Sequence, residues 1–179
     1  PMARSVEDII IMQSLTAGIH NQDIASLPKP YDFNGNTSLK NIKIAWSDHL
    51  CGFDVEKEII DNLKNALKIF SDQGAQVEYV DLNLPKDLLD ATGMYLCSLW
   101  GTSMKEIAIN KEDLLCDYTK KFIEISKKST LSDLVYCNDV AWDSYAKFGP
   151  LFDKYDVFIC PTNAVTGIPA DHGYPNLEY

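Results

Sequence analysis

NIKIAWSDHLCGFDVEKEIIDNLKNALKIFSDQGAQVEYVDL, residues 41–82, is the stretch whose reading decides the fold. Ile42, Ile44 and Trp46 alternate with Lys43, Ala45 and Ser47, the period of two expected of a strand. Asp54 stands where a helix N-cap belongs, and Val55, Ile59, Ile60, Leu63, Leu67 and Phe70 then fall on one helical face. Gly74 follows the last periodic residue, the place where a left-handed glycine ends a helix. Val77 to Leu82 reads as the second strand. Strand, helix and strand in so short a span make a βαβ unit, and the right-handed crossover rule makes its strands parallel.

Outward from this unit, the pattern turns helical on the C-terminal side. One helix is expected over Lys86 to Ile109, with Leu89, Leu96, Leu99, Trp100 and Met104 on its apolar side and Gly93 weakening its middle. A second covers Glu112 to Lys127, with Leu115, Tyr118, Phe122 and Ile125 facing inward. A third opens on the capping box Thr130 to Asp133 and runs toward Phe152, with Pro150 kinking or shortening it. A third strand, Asp156 to Cys160, follows. On the N-terminal side, Ser5 and Asp8 form a capping pattern for a helix from Ser5 to Ala17 with Val6, Ile9, Ile10 and Leu15 along it. His20 to Asn41 is rich in Asn, Asp, Pro and Gly and reads as an extended surface connection.

Composition narrows the function classes. Sixteen basic against twenty-six acidic side chains give a formal net charge of −10, which leaves no basic patch for nucleic acid or an anionic membrane. No apolar run approaches the roughly 20 residues a bilayer requires, and no signal-peptide pattern is present, so a cytoplasmic location is expected. Cys51, Cys97, Cys116, Cys137 and Cys160 are widely spaced, as are His20, His49 and His172, and neither set has the spacing of a metal or redox motif. No metal or cofactor is implied.

Few residues invite chemistry on their own. Cys160, at the end of the third strand and twelve residues before His172, is a nucleophile only if an imidazole reaches it; otherwise it is a small packing residue. Ser47, Asp48 and His49 follow the first strand, where open α/β sheets bind ligands, but three consecutive residues do not converge on one atom and read as a polar turn. Tyr95, Trp100, Tyr136, Trp142 and Tyr145 read as core at helical spacing. No G-x-S-x-G, G-x-G-x-x-G or P-loop occurs.

In order along the chain, PMARSVEDIIIMQSLTAG, LKNIKIAWSDHLCGFDVEKEI and KYDVFICPT resemble three segments of the amidase-signature family. They are similar to its G-P-M-A-R-[ST]-V-x-D segment, its L-K-G-L-R-I-A-W-S strand with the loop and helix after it, and its Y-D-V-L-L-T-P-T strand. The resemblance implies an α/β fold, here a βαβ unit with parallel strands plus a helical excursion, within the family's larger mixed sheet. It further implies a single partial domain over 1–179, the C-terminal portion of an amidase truncated at both ends, with 85–150 a helical segment on the substrate side. The implied activity is hydrolysis of a linear carboxamide by a serine nucleophile, a second serine held by a cis peptide and a lysine base, all preceding the P-M-A-R segment. No catalytic residue then maps onto this chain. Pro161 and Thr162 become the substrate-binding residues, and Cys160 becomes a packing residue. The fragment is expected to self-associate or to pair with the missing N-terminal half. Two other readings stay open: a noncatalytic α/β binding or interaction module, and a thiol enzyme using Cys160.

Overall fold

The computed structural model describes residues 2–28, 38–50 and 52–167. The chain divides into two compact units, Pro1–Ser38 and Leu39–Tyr179. In the first, helix α1 (Val6–Thr16) begins where Ser5 Oγ accepts the Asp8 N–H at 3.2 Å. No α1 residue is buried, so the apolar positions read from the sequence have no core of their own here. The expected extended connection from His20 is instead a tight turn as far as Ser26. His20 N donates to Ser26 Oγ at 2.9 Å, and Ser26 Oγ donates to the Asp23 carbonyl at 2.7 Å. Short Asp and Ser side chains satisfy a turning backbone as well as an extended one. Residues 29–37 of that connection lie outside the described residues.

The second unit is built on a parallel sheet in the order β2–β1–β3, comprising β1 (Lys43–Trp46), β2 (Gln76–Tyr79) and β3 (Val157–Ile159). Ile44 lies opposite Val77 on one side and Val157 on the other. Helix α2 (Lys57–Asp72) connects β1 to β2, and its Leu67 packs with Ile44, Trp46, Val77 and Ile159. The alternation read for β1 predicts one buried face, yet Ala45 is 0% and Ser47 2% exposed. A central parallel strand is covered on both sides. Residues paired across β1 share a face, so Phe158, opposite Ala45, shows what covers the second one: the Phe148 ring lies 5.2 Å away, edge to face.

Local chemistry sets the element ends. Gly74 sits at φ +97° just after α2, the left-handed turn that the sequence requires of it. Asp54 does not cap this helix: α2 starts three residues later with Glu56 at the N-cap position, and Glu56 Oε2 accepts the Thr166 N–H at 3.0 Å instead of a helix N–H. The second strand is also shorter than read, ending at Tyr79. Asp156 clamps the start of β3, its carboxylate accepting the Lys43 N–H at 2.9 Å while its own N–H donates to the Lys43 carbonyl.

Three helices intervene between β2 and β3: α3 (Leu88–Lys111), α4 (Asp117–Lys128) and α5 (Leu131–Phe148). Gly93 does not interrupt α3. Thr130 and Asp133 form the expected capping box, and α5 stops at Phe148, with Pro150 inside a 3-10 turn, Gly149–Asp153. The burial pattern corrects the sequence reading. The large residues assigned to the core, Trp100, Trp142 and Tyr145, are 58, 71 and 66% exposed, and Tyr95 and Tyr136 are exposed as well. The apolar side read for α3 is likewise turned outward at Leu89, Leu96 and Leu99, as is Tyr118 of α4. Small side chains fill much of the space instead: Ala91, Cys97, Ser98 and Gly101 of α3, Ser126 of α4 alongside Ile123, and Cys137 of α5 with Val140 beside it. Helices that approach closely favour such residues between them.

Tyr136 of α5 donates to Asp87 Oδ2 at 2.6 Å, just before α3. That bond, followed by slight desolvation and the nearby carboxylate charges, pushes the phenol up to about 12. The neutral form is favoured in the fold. The bond's contribution is therefore fully present below the ordinary tyrosine value of 10.0 and is lost as pH rises from there toward 12. An alkaline titration read by tyrosinate absorbance is expected to show a late step near pH 12 that Tyr136→Phe removes. A late step that survives in Tyr136→Phe would place that proton elsewhere.

Candidate functional site

The C-terminal ends of β1 and β3 lie side by side, joined where Ser47 N donates to the Ile159 carbonyl at 3.1 Å. In open parallel sheets this edge is where ligands bind, because the loops diverge there and leave a crevice. Beyond β3 the chain passes through Cys160, Pro161 and Thr162 and folds back on the start of α2. Glu56 N donates to the Ala164 carbonyl at 2.9 Å, and Thr166 N donates to the Glu56 carboxylate. The loop is thereby held where it returns to α2. Between it and the β1 loop is a cavity of about 330 Å³ lined by His49, Leu50, Phe53, Val55, Pro161 and Thr162, with Asn163 and Ala164. Pro161 and Thr162, singled out from the sequence, thus share a concave surface with the β1 loop.

The other sequence candidates fall differently. Ser47 is buried, and its hydroxyl donates to the His49 carbonyl at 2.7 Å, so it is occupied by backbone and does not face the imidazole. A Ser–Asp–His relay is not formed. Asp48 and His49 nevertheless meet: His49 Nδ1 is 2.8 Å from Asp48 Oδ1, which also accepts the Tyr79 hydroxyl at 3.3 Å. Burial alone would raise the Asp48 carboxyl. The bonds from His49, from its own backbone N–H and from Tyr79 outweigh that, and the group stays below its ordinary value. The Tyr79 ring stands edge-on to Trp46 with centroids 5.0 Å apart, which fixes the hydroxyl that reaches Asp48. The position of the Asp–His pair just after a strand is visible in the sequence. The side-chain bond between neighbours is not.

Cys160 is half-buried, and burial pushes its thiol upward, away from the thiolate a nucleophile needs. This favours the packing reading. His172, its proposed partner, and Cys51 lie outside the described residues. Cys97, Cys116 and Cys137 are free thiols. Among the described residues no group of His, Cys, Asp and Glu side chains gathers as a metal site, and no helix is long and apolar enough to cross a membrane.

A parallel sheet with a cavity at its strand ends and a helical insertion ahead of its last strand defines an α/β domain. A sequence profile of the Amidase family matches residues 1–177, and the chain belongs to that family. A glutamyl-tRNA(Gln) amidotransferase subunit of Caldanaerobacter subterraneus subsp. tengcongensis is 25% identical over 190 residues, covering 91% of this chain and 39% of the relative. The subunit of the same name from a Marinomonas species is 30% identical over 99 residues, 54% of this chain and 20% of the relative. Among solved structures, a bacterial aryl acylamidase of the amidase signature family superposes with a TM-score of 0.80 at 23% identity, over 93% of this chain and 36% of that one. The glutamyl-tRNA(Gln) amidotransferase subunit from Thermotoga maritima superposes with a TM-score of 0.58 at 15% identity, over 94% and 39%. The fold is that of the amidase signature enzymes, and the chain spans well under half the length of these relatives.

Proposed function

We propose that this chain forms one wall of a carboxamide-hydrolysing site, with Pro161 and Thr162 facing the substrate. The nucleophilic serine, the cis-bonded serine and the lysine base that the family resemblance implies come, in this reading, from amidase sequence that this chain does not include. The observation that carries it is the cavity at the β1 and β3 ends, where Pro161 and Thr162 meet the β1 loop in a chain that belongs to the Amidase family. Two facts support the division of labour: Ser47, just after β1, has its hydroxyl held by backbone, and the chain matches only 39% of the Caldanaerobacter relative.

Pairing with another polypeptide surface belongs to the same proposal. Leu131, Val135, Trp142 and Tyr145 recur along α5 at helical spacing on the side opposite the buried Cys137 and Val140, and all four are exposed. Such a stripe suits a further layer of an amidase domain, and the relatives named as amidotransferase subunits are by that name parts of assemblies. A noncatalytic interaction module would use the same stripe.

The test separates these readings from a self-contained enzyme. Incubation of the 179-residue chain with a serine-directed fluorophosphonate, read by mass spectrometry, is expected to leave every serine unmodified. An adduct on any serine of this chain would place the nucleophile here and overturn the proposed division.

A further inference from the structure

The cavity beside Thr162 combines apolar walls with one oriented polar ring. Leu50, Phe53 and Val55 line one side and Pro161 the other, while His49 stands among them with its side chain 47% exposed. The orientation of that ring follows from its partner. An ionised carboxylate only accepts hydrogen bonds, so the proton shared with Asp48 at 2.8 Å sits on His49 Nδ1. In the neutral form of such a ring Nε2 is then the acceptor. The Tyr79 hydroxyl on the same Asp48 oxygen restricts the carboxylate, and hence the ring, further. At about 330 Å³ the space is near the lower end of the range for small-molecule pockets, which suits a single ring or a branched chain.

We propose that His49 is a specificity residue that accepts a hydrogen bond from the amide N–H of a carboxamide whose aryl or branched acyl group packs against Phe53 in this cavity. The inference rests on the reading that the cavity beside Thr162 holds the substrate amide, and it adds to that reading a substrate class and the group that recognises it. Fully substituted amides, which have no N–H, lack the feature His49 reads.

Binding to the full chain distinguishes the two levels of the proposal. Benzamide and N,N-dimethylbenzamide are titrated separately while the His49 and Thr162 resonances are followed by NMR. Benzamide is expected to bind about fivefold more tightly, the value of one neutral hydrogen bond. In His49→Ala that ratio is expected to fall to about one, and Phe53→Ala is expected to weaken both ligands alike. His49 is at the surface, so its truncation leaves the fold in place. A ratio unchanged in His49→Ala, with Thr162 still shifting, overturns the role of His49 alone. Failure of both amides to shift Thr162 overturns the substrate-wall reading together with it.

Discussion

Gly101→Ala is expected to destabilise the helical part of this protein by about 2 kcal/mol or more, although alanine is the better helix former. The two effects oppose each other and their sizes decide the sign. Replacing a mid-helix glycine with alanine contributes about 1 kcal/mol in isolation. Here the added methyl would stand 2.1 Å from the Phe122 carbonyl oxygen, 2.5 Å from its carbon and 2.8 Å from Ser126 Cβ. A backbone carbonyl cannot rotate away as a side chain does, so α3 and α4 must separate. Separation exposes Cys97, Ile123 and Ser126 and strains the hydroxyl pair between Ser98 and Ser129, which lie 2.7 Å apart across the same contact. Urea unfolding followed by circular dichroism measures the loss. Truncating Phe122 to alanine should not restore it, because the obstruction is main chain. A Gly101→Ala variant as stable as the parent would show that these helices do not pack this closely.

Ile44→Ala is the second large effect, expected at about 3 kcal/mol. Ile44 is 3% exposed in the central strand and packs against the Leu67 layer of α2 as well as Ile42, Trp46 and Val77. Strands hydrogen-bonded on both sides cannot shift inward to fill the space, so the cavity persists and its cost adds to the lost transfer energy. Ile44→Val, which removes one methylene, is expected to cost about 1 kcal/mol. The pair of variants, compared by denaturant midpoint at constant slope, separates a packing loss from a change in the unfolded state. Equal midpoints for parent and Ile44→Ala would remove Ile44 from the core.

The βαβ unit is legible in the sequence because two periods coincide with strong punctuation. Ile42, Ile44 and Trp46 alternate, the α2 stripe repeats at helical spacing, and Gly74 marks the boundary between helix and second strand. The Thr130 capping box is legible for the same reason, since its chemistry is local. The helical segment misleads because hydrophobicity is a poor proxy for depth there. Trp142 and Tyr145 are apolar yet exposed, whereas Ser98, Gly101 and Ser126 are buried because close helix contact selects for size. At the site, the pattern of the last strand places Pro161 and Thr162 at a strand end, but it does not reveal their cavity. That requires the β1 loop beside them and Glu56 holding the returning chain, contacts that link residues 110 positions apart. Asp54 fails as the expected cap for a related reason. Propensity identifies a residue able to cap, but not which residue occupies the N-cap position, here Glu56 with no side-chain cap bond.

The pairing of β3 with β1 has a consequence in time as well as in space. The clamp between Lys43 and Asp156 closes a loop of 113 positions, whereas β1, α2 and β2 are contiguous. Loop-closure entropy favours the contiguous unit first and places the arrival of β3 after the three intervening helices have shortened the gap. Until then one long edge of β1 is unpaired, open to a strand from another molecule. The crevice beside Thr162 is therefore expected to form late in folding, and conditions that slow the closing strand are expected to delay the site and prolong the aggregation-prone interval together.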